Sequence, residues 1–285
     1  MFRKRPLAWA LCGAVFGLLI SVPHAVAVGD LIFKTSDRAQ VALERMVKDL
    51  QGARFVFIGE SHDNREHHEA QLKVIRALVE AGSKVAIGLE MFRTDAQPKL
   101  DGWVSGRVGE DEFFRVFSDH WSFNWWHLYL DIFLYSREKR LPMLGLNVPR
   151  SVVNQVAREG FASLSETQKR ELGAVACDVD PKYRALLREL IGEKDEGGRR
   201  FQYFCEAQLV WDAAMAQRLV AFAEKNPQHV VVVLAGIFHT WKHGIPEQVA
   251  RLTPLPYRVI LPSSDKSFLR YDILTKDADY VWFHD

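Results

Sequence analysis

Apolar residues along this chain fall into short continuous runs separated by longer stretches of mixed polarity. Residues 55–58 (FVFI), 85–89 (VAIGL), 143–146 (MLGL), 230–234 (VVVVL) and 257–261 (YRVIL) are such runs, and 280–283 (YVWF) is one more near the end. Runs of this length without alternation predict strands buried on both faces, as in a parallel sheet. Residues 64–81 predict a helix closed by Gly82. Between the third and fourth runs no strand signal occurs. That stretch predicts helices over 149–159, opened by Pro149, then about 165–191 and 201–225, with a charged loop, GEKDEGGRR, at 192–200. The pattern predicts an α/β fold: a mostly parallel sheet with helices on both faces and a helical insertion, about 149–227, before the fourth core strand.

The N-terminus has a different pattern. Arg3, Lys4 and Arg5 precede an apolar run of about 16 residues, 7–22, and Ala25-Val26-Ala27 follows. This is a basic region, a hydrophobic region and a small-x-small cleavage site, so residues 1–27 are expected to be a signal peptide and 28–285 a single exported domain, periplasmic or secreted. The run is shorter than the roughly 20 residues of a spanning helix. Leu11 stands before Cys12 where a lipidation motif has a small residue, so lipoprotein anchoring is not expected. The leader takes three of the 37 basic residues and no acid, leaving a slight excess of the 36 acids, so nothing in the charge points to nucleic acid. Cys177 and Cys205 remain; the spacing alone does not decide whether they pair.

Ligands of parallel α/β sheets sit at the carboxyl ends of strands. Glu60, Ser61 and His62 follow the first run, Glu90 and Arg93 the second, Asn147 the third, and Gly236 and His239 the fourth. Ionisable residues gathered at neighbouring strand ends suggest a site, although each has a plainer reading. Glu60 could cap the next helix, Glu90 could pair with Arg93, Asn147 could be structural, and His62 and His239 could be turn histidines. His67 and His68, beside Glu66 and Glu69, are expected on a solvated helix face. Phe204, Gln208, Trp211, Met215 and Phe222 recur at helical spacing and predict a core stripe. Asp212 lies beside that stripe, where a carboxylate needs a partner. A helix is expected over 120–135 (HWSFNWWHLYLDIFLY), and it is too aromatic to bury along one stripe. The surplus suggests a flat apolar ligand or a partner subunit.

Taken in order, FVFIGESHDNREHHEAQ, GLEMF, LGLNVPRSVV, FCEAQLVWDAAMA and VVVLAGIFHTWKHGIP resemble the ChaN-like haem-binding uptake family, over about residues 50–262. They also resemble the wider superfamily of Tiki and TraB proteins and erythromycin esterases, which shares a glutamate–histidine element, here Glu60 and His62, and a late histidine, here His239. The resemblance implies haem as ligand, a homodimer with cofacial haems between subunits, and a role in iron uptake alongside outer-membrane haem uptake components. It fixes no iron ligand on this chain.

Two readings follow. In the first, haem binds noncovalently, since no Cys-x-x-Cys-His is present. Ferric haem takes His or Tyr, so Tyr129, Tyr135, His120 and His127 are candidates, with Tyr203 behind them. Trp125 and Trp126 are candidate walls, and Arg137 or Arg140 a candidate propionate partner. In the second, Glu60, His62, Glu90 and His239 serve a hydrolase, binding a divalent metal or activating water. No Gly-x-Ser-x-Gly motif is present, which disfavours a serine esterase.

Overall fold

The computed structural model describes residues 31–173, 175–192, 198–263 and 275–283. The expected leader and Cys12 lie outside them. The strands are β1 (Leu31–Lys34), β2 (Ala39–Val41), β3 (Phe55–Glu60), β4 (Lys84–Arg93), β5 (Met143–Asn147), β6 (His229–Gly236), β7 (Tyr257–Ser263) and β8 (Tyr280–Phe283). They form one sheet in the order β2-β1-β8-β7-β3-β6-β4-β5. Pairing is parallel from β8 across to β5, and β1 joins antiparallel to both β8 and β2.

The lack of alternation in the strand sequences has a direct cause. Val56, Ile58, Ile87, Leu89, Val232 and Leu234 enter a core on one face of the sheet. Phe55, Phe57, Val231, Val233, Val259 and Leu261 enter a second core on the other. Successive side chains point to opposite faces, and both faces are covered. The first face is covered by α1 (Leu43–Leu50), α2 (Arg65–Glu80), α3 (Gln97–Val104), α4 (Glu110–His120) and α5 (Trp126–Lys139).

The insertion between β5 and β6 holds α6 (Arg150–Glu159), α7 (Glu166–Leu172), α8 (Pro181–Ile191) and α9 (Arg199–Lys225). α9 carries Met215, Ala216 and Leu219 against the second face, with Ile245 and Val249 from α11 (Ile245–Leu252), which follows the short α10 (Ile237–Thr240). The helix expected over 165–191 is two helices. Gly173, at φ 72°, leaves the helical region after α7, and Asp180 caps α8 just ahead of Pro181. A disulfide joins Cys177, in the stretch before α8, to Cys205 on α9. The aromatic stretch is likewise not one helix. α4 ends at His120, Trp121 is extended, a 3-10 turn spans Phe123–Trp125, and α5 begins at Trp126.

Candidate functional site

Six parallel strands deliver their carboxyl ends to one edge, and two carboxylate–imidazole assemblies stand there. The first is built on β3. Glu60 is buried, and the β3–α2 turn returns the chain so that His62 Nδ1 donates to Glu60 Oε1 at 2.8 Å. Asn64 caps α2 by accepting from the His67 backbone N–H, which aims the first turn of that helix back at the strand end. Gln71 then donates to Glu60 Oε2 at 2.7 Å, His68 Nδ1 lies 3.6 Å from the same oxygen, and the Tyr129 hydroxyl donates to Oε1. Burial alone would raise the Glu60 carboxyl, but the bond from His62, the nearby His68 charge and the Tyr129 bond hold it down at about 2. Conversely, burial would lower the His62 pKa, and its bond to Glu60 with the charge of Glu90 keeps it raised.

The second assembly spans three elements. Asp212, fully buried on α9, accepts from His239 Nδ1 at 2.7 Å, and Glu90 Oε1 lies 3.7 Å from His239 Nε2. Glu90 Oε2 accepts from the Gly236 backbone N–H at 2.7 Å, and Asn147 Nδ2 donates to the Glu90 carbonyl. Burial disfavours the charged His239 ring, yet Asp212 and Glu90 push its pKa up to about 9. The Glu90 position depends on a register shift of β4 against β5 between Leu89 and Arg93. Such irregularities re-aim side chains at sites. The kinked strand comes so close to Gly145 that a Cβ there would stand 2.4 Å from the Arg93 carbonyl oxygen.

Gly236 joins the two assemblies. A Cβ at this residue would stand 3.1 Å from the His62 ring and 3.7 Å from Glu90 Oε2, so the bare glycine lets both approach. His62, Glu90 and His239 line one cavity of about 360 Å³ with Arg93, His120, Trp121, Arg150 and Trp211. Trp121 and Trp125 lie beside His62, ring centroids 5.0 and 5.4 Å away. A larger hollow of about 520 Å³ between α6, α7 and α9 holds no histidine.

The structure redistributes the other residues singled out in the sequence. Tyr129 is fully buried and its hydroxyl is spent on Glu60, so it does not reach the cavity. Trp126 packs among Phe113, Phe114, Phe117 and Phe133. The Arg137 guanidinium stacks on Trp103, 4.8 Å from its ring. His127 is exposed on α5 and is not among the cavity-lining residues. Of the residues proposed around haem, His120 lines the cavity directly and Trp125 stands close to it beside His62. The divalent-metal reading of Glu60, His62, Glu90 and His239 loses its ligand shell. Among the described residues no group of three or more His, Cys, Asp or Glu is arranged to hold a metal ion, because Glu60 is enclosed by its own donors and Glu90 is turned to Gly236. His67 and His68 are buried rather than solvated, with His67 Nδ1 accepting from the Ser61 backbone N–H.

Of the three histidines at the cavity, His62 and His239 are both held protonated above the ordinary histidine range, and each offers an Nε2 lone pair only in its neutral ring. His120 Nδ1 accepts from the Arg93 backbone N–H, which leaves the proton of its neutral form on Nε2. His239 holds its proton to about pH 9. His62 gives its Nδ1–H to Glu60, so in the neutral ring Nε2 is the acceptor, and a carboxylate behind an imidazole fixes this tautomer and raises ligand basicity.

Fold and site together define an α/β scaffold whose strand ends carry carboxylate-backed histidines in an aromatic-walled cavity. The chain belongs to the family described as haem-binding uptake, Tiki superfamily, ChaN, whose profile matches residues 46–249. Its fold is that of the solved ChaN of Campylobacter jejuni, a structure described as showing cofacial haem binding; the TM-score is 0.69 at 21% identity, covering 91% of this chain and 98% of that one. Among curated proteins it is similar to the chloroplastic protein Reticulata-related 5 of Arabidopsis thaliana, 24% identical over 259 residues. That match takes in 84% of this chain but only 35% of the plant protein.

Proposed function

We propose that this chain is an exported haem-binding protein of haem or iron uptake, which holds its cargo noncovalently at the strand-end cavity, with His62 Nε2 as the iron ligand. The observation that carries this is His62 itself: carboxylate-backed, part-exposed, flanked by Trp121 and Trp125, and lining a cavity with two guanidinium groups. A porphyrin is a flat apolar disc edged by two carboxylates, and it needs aromatic walls, one imidazole and cations at the rim. Family membership supports the same cargo.

Export rests on the basic, apolar and small-residue pattern of residues 1–27. No helix among the described residues is long and apolar enough to cross a membrane. A homodimer suits the large apolar side chains left exposed near the aromatic junction, Phe114 on α4, Phe123 before α5 and Leu134 on α5. Outer-membrane uptake components are the partners to which such a protein would pass haem.

Spectral titration with hemin tests the assignment. Wild type is expected to give a Soret band of defined stoichiometry, His62→Ala to lose the axial-imidazole signature and weaken binding about tenfold or more, and His127→Ala to behave as wild type. An unchanged spectrum in His62→Ala removes this residue from the iron, and absence of hemin binding by wild type removes the function.

A further inference from the structure

The cavity is electrically lopsided. The acids at and behind its floor are already engaged: Glu90, which lines it, by Gly236 and the His239 ring, and Glu60, buried behind His62, by His62, Gln71 and Tyr129. Its rim carries two guanidinium groups. Arg93, at the end of β4, lies 3.4 Å through Nε from Asp95, which is largely exposed, and reaches the Asp119 carbonyl with Nη1. Arg150 is the first residue of α6, is exposed, and has no ion pair or hydrogen bond among the described residues. Asn154 lies one turn further along α6 and lines the same cavity. The start of α6 adds unpaired backbone N–H groups and the positive end of a helix dipole.

An arginine held with its donors unmatched beside a cavity is a fork for a planar anion. Guanidinium donors meet a carboxylate with two parallel bonds, and the part-buried Arg93 faces only the largely exposed Asp95 and one backbone carbonyl, partners that a ligand carboxylate can displace. The geometry points to Arg150 and Arg93 as a carboxylate clamp that makes the site selective for porphyrins with free propionates. The inference rests on the haem reading above. It goes further in assigning the rim to these two residues, and in making carboxylates, rather than the apolar macrocycle alone, the recognised feature.

The test compares hemin with hemin dimethyl ester on the full chain, for wild type, Arg150→Ala, Arg150→Lys and Arg93→Ala. Wild type is expected to bind hemin about tenfold or more tightly than the diester, the scale of one charge-assisted carboxylate bond. Arg150→Ala should shrink that ratio severalfold by weakening hemin while leaving the diester unchanged. Arg150→Lys should fall between, since it keeps the charge and loses the fork. Arg150 is exposed at a helix start, so thermal unfolding of the variants should match wild type. Equal affinity of wild type for hemin and diester, or an unchanged ratio in both Arg150→Ala and Arg93→Ala, overturns the clamp while the haem reading stands. Failure of wild type to bind either porphyrin overturns both.

Discussion

Replacing Asp212 with Asn tests the electrostatics of the site most directly. The carboxylate is fully buried, and its Oδ1 accepts from His239 Nδ1 at 2.7 Å. Asn has the same shape and still offers an oxygen to that N–H, so the substitution removes charge with little change in packing. In wild type, burial lowers the His239 pKa while Asp212, then Glu90, raise it, and the net result is about 9 against an ordinary 6.5. Two and a half units at about 1.4 kcal/mol each correspond to about 3–4 kcal/mol of coupling between protonation and folding. Because the folded-state pKa is the higher one, this stability is fully present below about pH 6.5 and is lost as pH rises through about 9.

Two measurements read this out. The His239 ring proton signals should titrate near pH 9 in wild type and at least one unit lower in Asp212→Asn, where burial is opposed by Glu90 alone. Denaturant unfolding at pH 6.5 and pH 9.5 should show wild type losing up to about 3 kcal/mol over that interval, and the variant losing much less. A wild-type His239 that titrates near 6.5, or a variant whose titration matches wild type, would refute the reasoning.

Tyr129→Phe should cost about 1–3 kcal/mol, because it strips a donor from the buried Glu60 carboxylate, yet it should leave the hemin spectrum of wild type intact; a changed charge-transfer band would return Tyr129 to the iron. Cys177→Ser with Cys205→Ser should cost about 3 kcal/mol by freeing a 28-residue separation in the unfolded chain, and unfolding of wild type with and without reductant should show the same difference; equal stabilities would show that the bond constrains nothing.

The core strands were legible because burial on both faces writes an uninterrupted apolar run. The edge was not. β1 and β2 are four and three residues long and exposed in part, so LIFK and AQV carry no such run. Glu60, His62, Glu90 and His239 were legible from the rule that strand ends hold ligands. His67 and His68 were misread because Glu66 and Glu69 beside them make the segment look wet. The signal was nevertheless present: His67, His68 and Gln71 continue, at helical spacing, the stripe of Val74, Ile75 and Leu78. A polar extension of an apolar stripe at the first turn after a strand lies over the strand end, so those residues face the site rather than water. Asp212 is the same case on α9, between Gln208 and Met215.

The aromatic segment explains why the two readings looked separate in the sequence. Read as one helix, it offers a single surface somewhere away from the strand ends. The break at Trp121 divides it. His120 and Trp121 close the cavity, Trp125 lies beside His62, and from Trp126 onward the rings pack against Phe113, Phe117 and Phe133 in the core. Tyr129 sits where the halves meet, its ring 4.3 Å from His68 and its hydroxyl on Glu60, so the aromatic core braces the same carboxylate that orients His62. The aromatic surplus and the strand-end cluster are therefore two sides of one construction, and the His62 imidazole is held from behind, through Glu60, by the residue that sequence alone placed at the iron.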